Sequence, residues 1–140
     1  MNKPIILCVD DEKSILESLK TQLKETFGSA YGYEMAEDAR DALELIDELQ
    51  ETGAPLLLIV SDWLMPGMKG DEFLITIHQR FPQVVTVMLT GQADAAAIAR
   101  ATEEANLHRC LFKPWSEAEL TEAIASGLAK FEQDKGDGAG

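Results

Sequence analysis

Five times along this chain a short apolar run gives way to a stretch whose apolar residues recur every three or four positions. That alternation limits the fold more than any other feature, because period-free apolar runs of this length read as buried strands and the 3.6-residue period reads as helix. Residues 5–9 are continuously apolar (β1). Ile15, Leu16, Leu19, Leu23 and Phe27 then mark a helix (α1) that Gly28 stops. Residues 31–36 form a weaker strand (β2), expected near an edge. Ala39, Ala42, Leu43, Ile46 and Leu49 define α2, with Glu37 and Asp38 at its positive end and Gly53-Ala54-Pro55 breaking it. Residues 56–62 are the most apolar run (β3). Phe73, Leu74, Ile77 and Phe81 mark α3, ended by Pro82. Residues 84–89 are β4, residues 93–105 an alanine-rich α4, and residues 110–112 a short β5. Ser116-x-x-Glu119 is a capping box opening α5, which carries Leu120, Ile124, Leu128 and Phe131.

A strand-helix alternation of this kind predicts an α/β fold, a doubly wound five-stranded parallel sheet with helices on both faces. Residues 1–132 read as one domain, large enough for a real core. Residues 133–140 are polar and glycine-rich and read as a flexible tail or linker start. Alanine buries little side-chain area, so α4 is expected to be the loosest-packed helix and the easiest to shift.

The net charge of −13 argues against direct contact with nucleic acid or an anionic membrane. No window approaches the length of a membrane span, and Met1-Asn2-Lys3-Pro4 leads straight into a short strand, so the expected location is the cytoplasm. Cys8 and Cys110 both lie in apolar runs and read as reduced core thiols. Neither a Cys-x-x-Cys pair nor a His-Glu-x-x-His stretch is present, which argues against zinc. His78 and His108 read as surface residues rather than catalytic ones.

The residues just past each strand carry the chemistry. Asp10-Asp11 follows β1, Asp62 ends β3, Thr90 follows β4 and Lys113 follows β5. In an open α/β sheet these ends gather at the edge where ligands bind. Each alone has an ordinary explanation: an Asp pair caps a helix, a Thr closes a strand, a Lys faces solvent. Together they form three carboxylates, a hydroxyl and an ammonium in one cleft. Clustered carboxylates repel one another, and an all-oxygen donor set favours a hard cation such as Mg2+. The ammonium and hydroxyl suit phosphoryl oxygens, and an ionised Asp62 suits in-line attack on phosphorus.

These stretches resemble a response-regulator receiver domain of two-component signalling. The matching residues are Val9-Asp10-Asp11-Glu12, Ser61-Asp62-Trp63-Leu64-Met65-Pro66-Gly67-Met68-Lys69-Gly70, Leu89-Thr90-Gly91-Gln92 and Phe112-Lys113-Pro114-Trp115. The resemblance covers nearly the whole chain. It implies a flavodoxin-like strand order 2-1-3-4-5 and a cis peptide at Lys113–Pro114. It implies that Asp62 takes a phosphoryl group from a sensor histidine kinase or phosphotransfer protein. Asp10, Asp11, Asp62 and the backbone carbonyl of Leu64 would hold Mg2+, and Thr90 and Lys113 would bind the phosphoryl oxygens. Signalling to an output domain or enzyme partner would run through the α4–β5–α5 face, with no nucleic acid or membrane contacted directly. The strand order also separates Cys8 from Cys110 too widely for a disulfide.

One position departs from the family pattern. The aromatic residue common three positions before the lysine is Cys110 here, so the switch pair is Thr90 and Cys110. A thiol has no ring to swing and is a weak hydrogen-bonding group. Leu64, two positions after Asp62, cannot orient a water, and Gln92 flanks the same path, so slow self-dephosphorylation is expected.

Three other readings compete. A phosphoaspartate-type phosphatase needs Asp-x-Asp at the nucleophile, and Asp62-Trp63-Leu64 lacks the second acid. A flavodoxin-like cofactor binder needs a Ser/Thr/Gly-rich phosphate loop where Asp10-Asp11-Glu12 stands. The last is a receiver-like interaction module that is never phosphorylated.

Overall fold

The computed structural model describes the backbone of residues 3–91 and 95–139, with side chains through residue 133. The elements are β1 (Ile5–Val9), α1 (Lys13–Phe27), β2 (Gly32–Ala36), α2 (Ala39–Thr52), β3 (Leu56–Asp62), α3 (Gly70–Arg80), β4 (Val85–Thr90), α4 (Ala95–Glu104), β5 (Arg109–Phe112) and α5 (Glu117–Ala139). A turn of 3-10 helix at Gly28–Ala30, absent from the sequence reading, joins α1 to β2. All neighbouring strands pair in parallel, in the order β2-β1-β3-β4-β5. This is the doubly wound, flavodoxin-like sheet expected from the sequence.

Two cores sandwich the sheet. On one face Leu16, Leu19 and Leu23 of α1 and Leu120, Ile124, Leu128 and Phe131 of α5 pack on Ile6, Leu58, Val60 and Val87. On the other, Ala42 and Ile46 of α2, Phe73, Leu74 and Ile77 of α3 and Ala101 of α4 pack on Leu7, Val9, Ile59 and Met88. Alternation along each strand sends successive side chains to opposite cores. Both sheet faces are covered, so the strands read as unbroken apolar runs.

The ends of the helices follow their local chemistry. Asp38 caps α2, its Oδ1 accepting from Asp41 N at 2.8 Å. The capping box of α5 closes both ways: Ser116 Oγ accepts from Glu119 N at 3.0 Å, and Glu119 Oε1 accepts from Ser116 N at 3.1 Å. Gly127 lets α5 approach the sheet, because a Cβ there would lie 2.6 Å from Leu58 Cδ1. The helical backbone of α5 runs to Ala139, and Phe131 is the last described α5 side chain in the core.

The α4 contact is thin, as its composition implied: Ala97 and Ala101 are its buried residues, with Ile98 half-buried and Ala105 buried just past its end. An ion pair between Arg100 Nη1 and the buried Asp71 Oδ2, 3.5 Å apart, spans α3 and α4. Residues 92–94, including the start expected for α4 and Gln92, lie outside the described residues. His108 is not a free surface residue. Its ring is half-buried and its Nε2 lies 2.7 Å from Ser126 Oγ, which ties the approach to β5 to α5. Burial, then the neighbouring Arg109 and Lys130, hold its pKa below the usual histidine value.

The two cysteines are free. Cys8 belongs to the core under α1 and α5, whereas Cys110 packs against the core under α3 and α4, so they face opposite sides of the sheet. Burial, with the charge of Asp10 added, pushes the Cys8 thiol up to about 12, which keeps it protonated and inert.

Candidate functional site

Strand register assembles the site. Val9 lies level with Ser61, so Asp10 comes level with Asp62 on the next step. Asp62 lies level with Leu89, which puts Thr90 one residue further out. Thr90 lies level with Phe112, and Lys113 follows. The backbone ladder continues past the strands and holds these residues in place. Asp10 N donates to Ala36 O at 3.1 Å, Trp63 N to Leu89 O at 2.8 Å and Lys113 N to Thr90 O at 2.8 Å. Groups from four strands therefore meet on rigid backbone at the carboxyl edge of the sheet.

Asp10, Asp62 and Thr90 are buried, and Asp11 is exposed at the rim. Lys113 Nζ bridges the two buried acids, 2.7 Å from Asp10 Oδ2 and 3.2 Å from Asp62 Oδ1. The other oxygen of Asp10, Oδ1, accepts from Glu12 N at 2.9 Å, so both of its oxygens are occupied. Asp10 thus does begin the turn into α1, and it anchors the lysine as well. A cleft of about 290 Å3 opens over these groups, lined by Asp11, Glu12, Asp62, Trp63, Leu64, Thr90, Gly91 and Lys113. Every residue singled out at the strand ends is in or beside it. Cys110 is not: it lies half-buried on β5, level with Met88, and burial raises its thiol pKa.

The electrostatics of the cleft are unbalanced. Burial and then the nearby Asp10 push Asp62 up to about 6; Lys113 pulls it back down and Asp11 adds a smaller upward push. Burial alone would lower the Lys113 pKa, but its hydrogen bond to Asp10 and the charges of Asp10 and Asp62 win and raise it. One ammonium thus faces three carboxylates. Asp10, Asp11 and Asp62 can each offer one oxygen, all within 4.8 Å of one another. A donor set made only of oxygen, with excess negative charge, fits Mg2+ and leaves room for water and phosphoryl oxygens.

Two residues of the matching stretches, to which the sequence assigns no role, support the site. Gly70 starts α3 against the backbone of the Asp62 strand end, where a Cβ would lie 2.7 Å from Trp63 Cα. Its N donates to Trp63 O at 2.7 Å, folding the β3–α3 loop back on the strand. The signal was a glycine eight residues after Asp62, and glycine is the residue that permits such close backbone approach. The second is Trp115, whose Nε1 donates to Gln22 Oε1 at 2.9 Å and tethers the segment after Lys113 to α1. The Lys113–Pro114 peptide is cis.

Comparison with known proteins agrees with this geometry. Residues 6–125 match the family model of the response regulator receiver domain. The hydrogenase transcriptional regulatory protein HoxA of Cupriavidus necator is 30% identical over 123 residues, covering 88% of this chain and 24% of that protein. The chain thus spans about a quarter of that longer relative. Chemotaxis protein CheY-3 of Vibrio cholerae is 27% identical, covering 85% of this chain and 87% of that one. The signal receiver domain of an HD domain-containing protein from Pseudomonas fluorescens superposes with a TM-score of 0.83 at 32% identity, covering 94% of this chain and 99% of that one. No helix among the described residues is long and apolar enough to cross a membrane. With its strand order, its strand-end acids and a family match over most of its length, the chain belongs to the response regulator receiver domains of two-component systems.

Proposed function

We propose that Asp62 is the phosphoacceptor of this domain, taking its phosphoryl group from a sensor histidine kinase or a phosphotransfer protein. The observation that carries this reading is the buried Asp62 carboxylate held 3.2 Å from Lys113 Nζ beside two further acids. Asp10, Asp11, Asp62 and the Leu64 carbonyl are assigned to Mg2+, which when bound would screen the acids from one another and from the incoming phosphoryl charge. A carboxylate oxygen of Asp62 attacks phosphorus in line as the bond from phosphorus to the donor's imidazole nitrogen breaks, and that nitrogen keeps the electron pair. The product is an acyl phosphate. Lys113 is released from Asp62 to pair with a phosphoryl oxygen, and the Thr90 hydroxyl donates to another. In the cytoplasm, the altered surface would then signal to an output domain or enzyme partner through α4, β5 and α5.

Incubation with acetyl phosphate and Mg2+ is expected to add one phosphate to the intact mass of the wild type and none to Asp62→Asn. Equal uptake by both would reject the assignment. Leu64 is exposed beside Asp62 and offers no group to orient a water, so the acyl phosphate is expected to last minutes or longer. Decay within seconds in the presence of Mg2+ would contradict this.

Cys110 is assigned with Thr90 to the switch. Because α4 rests on alanines and Cys110 has no ring to move, the shift is expected in α4 itself. Hydrogen exchange along residues 95–104 should rise when a phosphoryl mimic binds. Unchanged protection there would place the switch elsewhere.

A further inference from the structure

Three lysines toward the other end of the sheet share a groove that no acid lines, although Lys20 also borders Glu17 and Glu37 on its other side. Lys3 precedes β1, Lys20 lies midway along α1 and Lys24 in its last turn. With Gly28, Ser29, Tyr31 and Tyr33 they line a groove of about 500 Å3 that contains no carboxylate. This is unusual in a chain of net charge −13. Elsewhere Lys13, Arg40, Arg80, Arg100, Arg109 and Lys113 each lie within 3.6 Å of a carboxylate. Among the described residues, Lys3, Lys20 and Lys24 form no ion pair; Lys69, which lies over the Trp63 ring, and Lys130 form none either, but neither lines this groove. Lys20 and Lys24 are also four residues apart on one helix, where like charges destabilise it. Lys24 alone would be explained by the negative end of α1. Lys20 lies a turn earlier and Lys3 comes from another element, so the helix terminus does not account for the set.

We infer that this groove binds a phosphate-bearing small molecule of the nucleoside polyphosphate class, at a site remote from Asp62. All three cations are lysines. A compact ammonium suits phosphate as a point charge, whereas a carboxylate-reading groove would favour the planar fork of arginine. The groove's volume lies within the usual span for small-molecule sites. Its floor is rigid: Tyr33 Oη donates to Gly28 O at 2.7 Å, and the Tyr31 ring meets Phe27 edge-on at 6.4 Å. Tyr31 is half-buried and supplies the aromatic surface for a base, while Ser29 supplies a hydroxyl. The parallel strands start here and end at Asp62, so occupancy of one site leaves the other open.

The test is an amide NMR titration of the full chain with pyrophosphate and with ATP, in EDTA so that the acidic cleft recruits no metal-bound nucleotide. Saturable shifts are expected at residues 20–33, weakening with added salt. Affinity should fall at least about tenfold in Lys3→Gln/Lys20→Gln/Lys24→Gln, whose exposed side chains can change without unfolding the domain. ATP should bind more tightly than pyrophosphate, and Tyr31→Ala should remove that difference. Asp62→Asn should bind like the wild type, which separates this site from the phosphoacceptor. The inference is overturned if neither ligand saturates in the millimolar range, or if the triple variant binds equally well. Binding of an acidic peptide with no response to either phosphate ligand would overturn it too.

Discussion

Lys113→Met is expected to destabilise the metal-free protein by about 3–5 kcal/mol at pH 7, the usual cost of removing one partner from a buried ion pair. Asp10 is fully buried, and Lys113 Nζ is its charge partner at 2.7 Å. Methionine keeps most of the apolar stem, so the loss reports the ammonium rather than packing. Without it, two buried carboxylates face each other with no cation between them. They can escape by sharing a proton, which raises the apparent pKa of the pair. The folded state then binds more protons than the unfolded state, so the variant's stability falls as pH rises through that raised pKa. Urea unfolding in EDTA at pH 5 and pH 7 measures this, and the gap between variant and wild type should be smaller at pH 5. Magnesium should also narrow the gap. A deficit under about 1 kcal/mol at pH 7, insensitive to both, would show that the lysine does not hold the acids together.

That lysine also shows which parts of the molecule were legible in the sequence. Its place after β5 followed from Leu111-Phe112-Lys113-Pro114, and the Asp62 strand was legible from a run too apolar to face water on either side. Strand order was not legible from periodicity, because hydrophobic patterning says which face of a strand is buried and not which strand lies beside it. It came through family resemblance. The division of labour within Asp10-Asp11 was also hidden. The two are identical in type, yet Asp10 is buried against Lys113 while Asp11 is exposed at the rim, and only the register of β1 against β3 decides which. His108 looked like a surface residue because its partner, Ser126, lies a helix away.

Asp62→Asn is expected to stabilise the metal-free protein at pH 7, while abolishing its phosphorylation. Burial, then the charge of Asp10, lifts Asp62 from 3.8 to about 6, with Lys113 opposing and Asp11 adding to the rise. A carboxyl whose pKa is higher folded than unfolded binds protons more tightly in the native state. Its contribution to stability is therefore greatest in acid and is lost as pH rises from about 4 through 6. At about 1.4 kcal/mol per pKa unit the full penalty at pH 7 approaches 3 kcal/mol, and about 2 kcal/mol is a fair expectation for a group beside an open cleft. Asparagine keeps an oxygen for Lys113 Nζ and removes the charge that Asp10 repels. The variant should therefore unfold at higher urea than the wild type at pH 7 in EDTA, and the two should converge near pH 4. Magnesium should stabilise the wild type more than the variant, because the charge it would neutralise is gone from the variant. If Asp62→Asn were the less stable protein at pH 7 without metal, the acids would not be in electrostatic conflict. The case for a cation-dependent phosphoacceptor would then lose its physical basis.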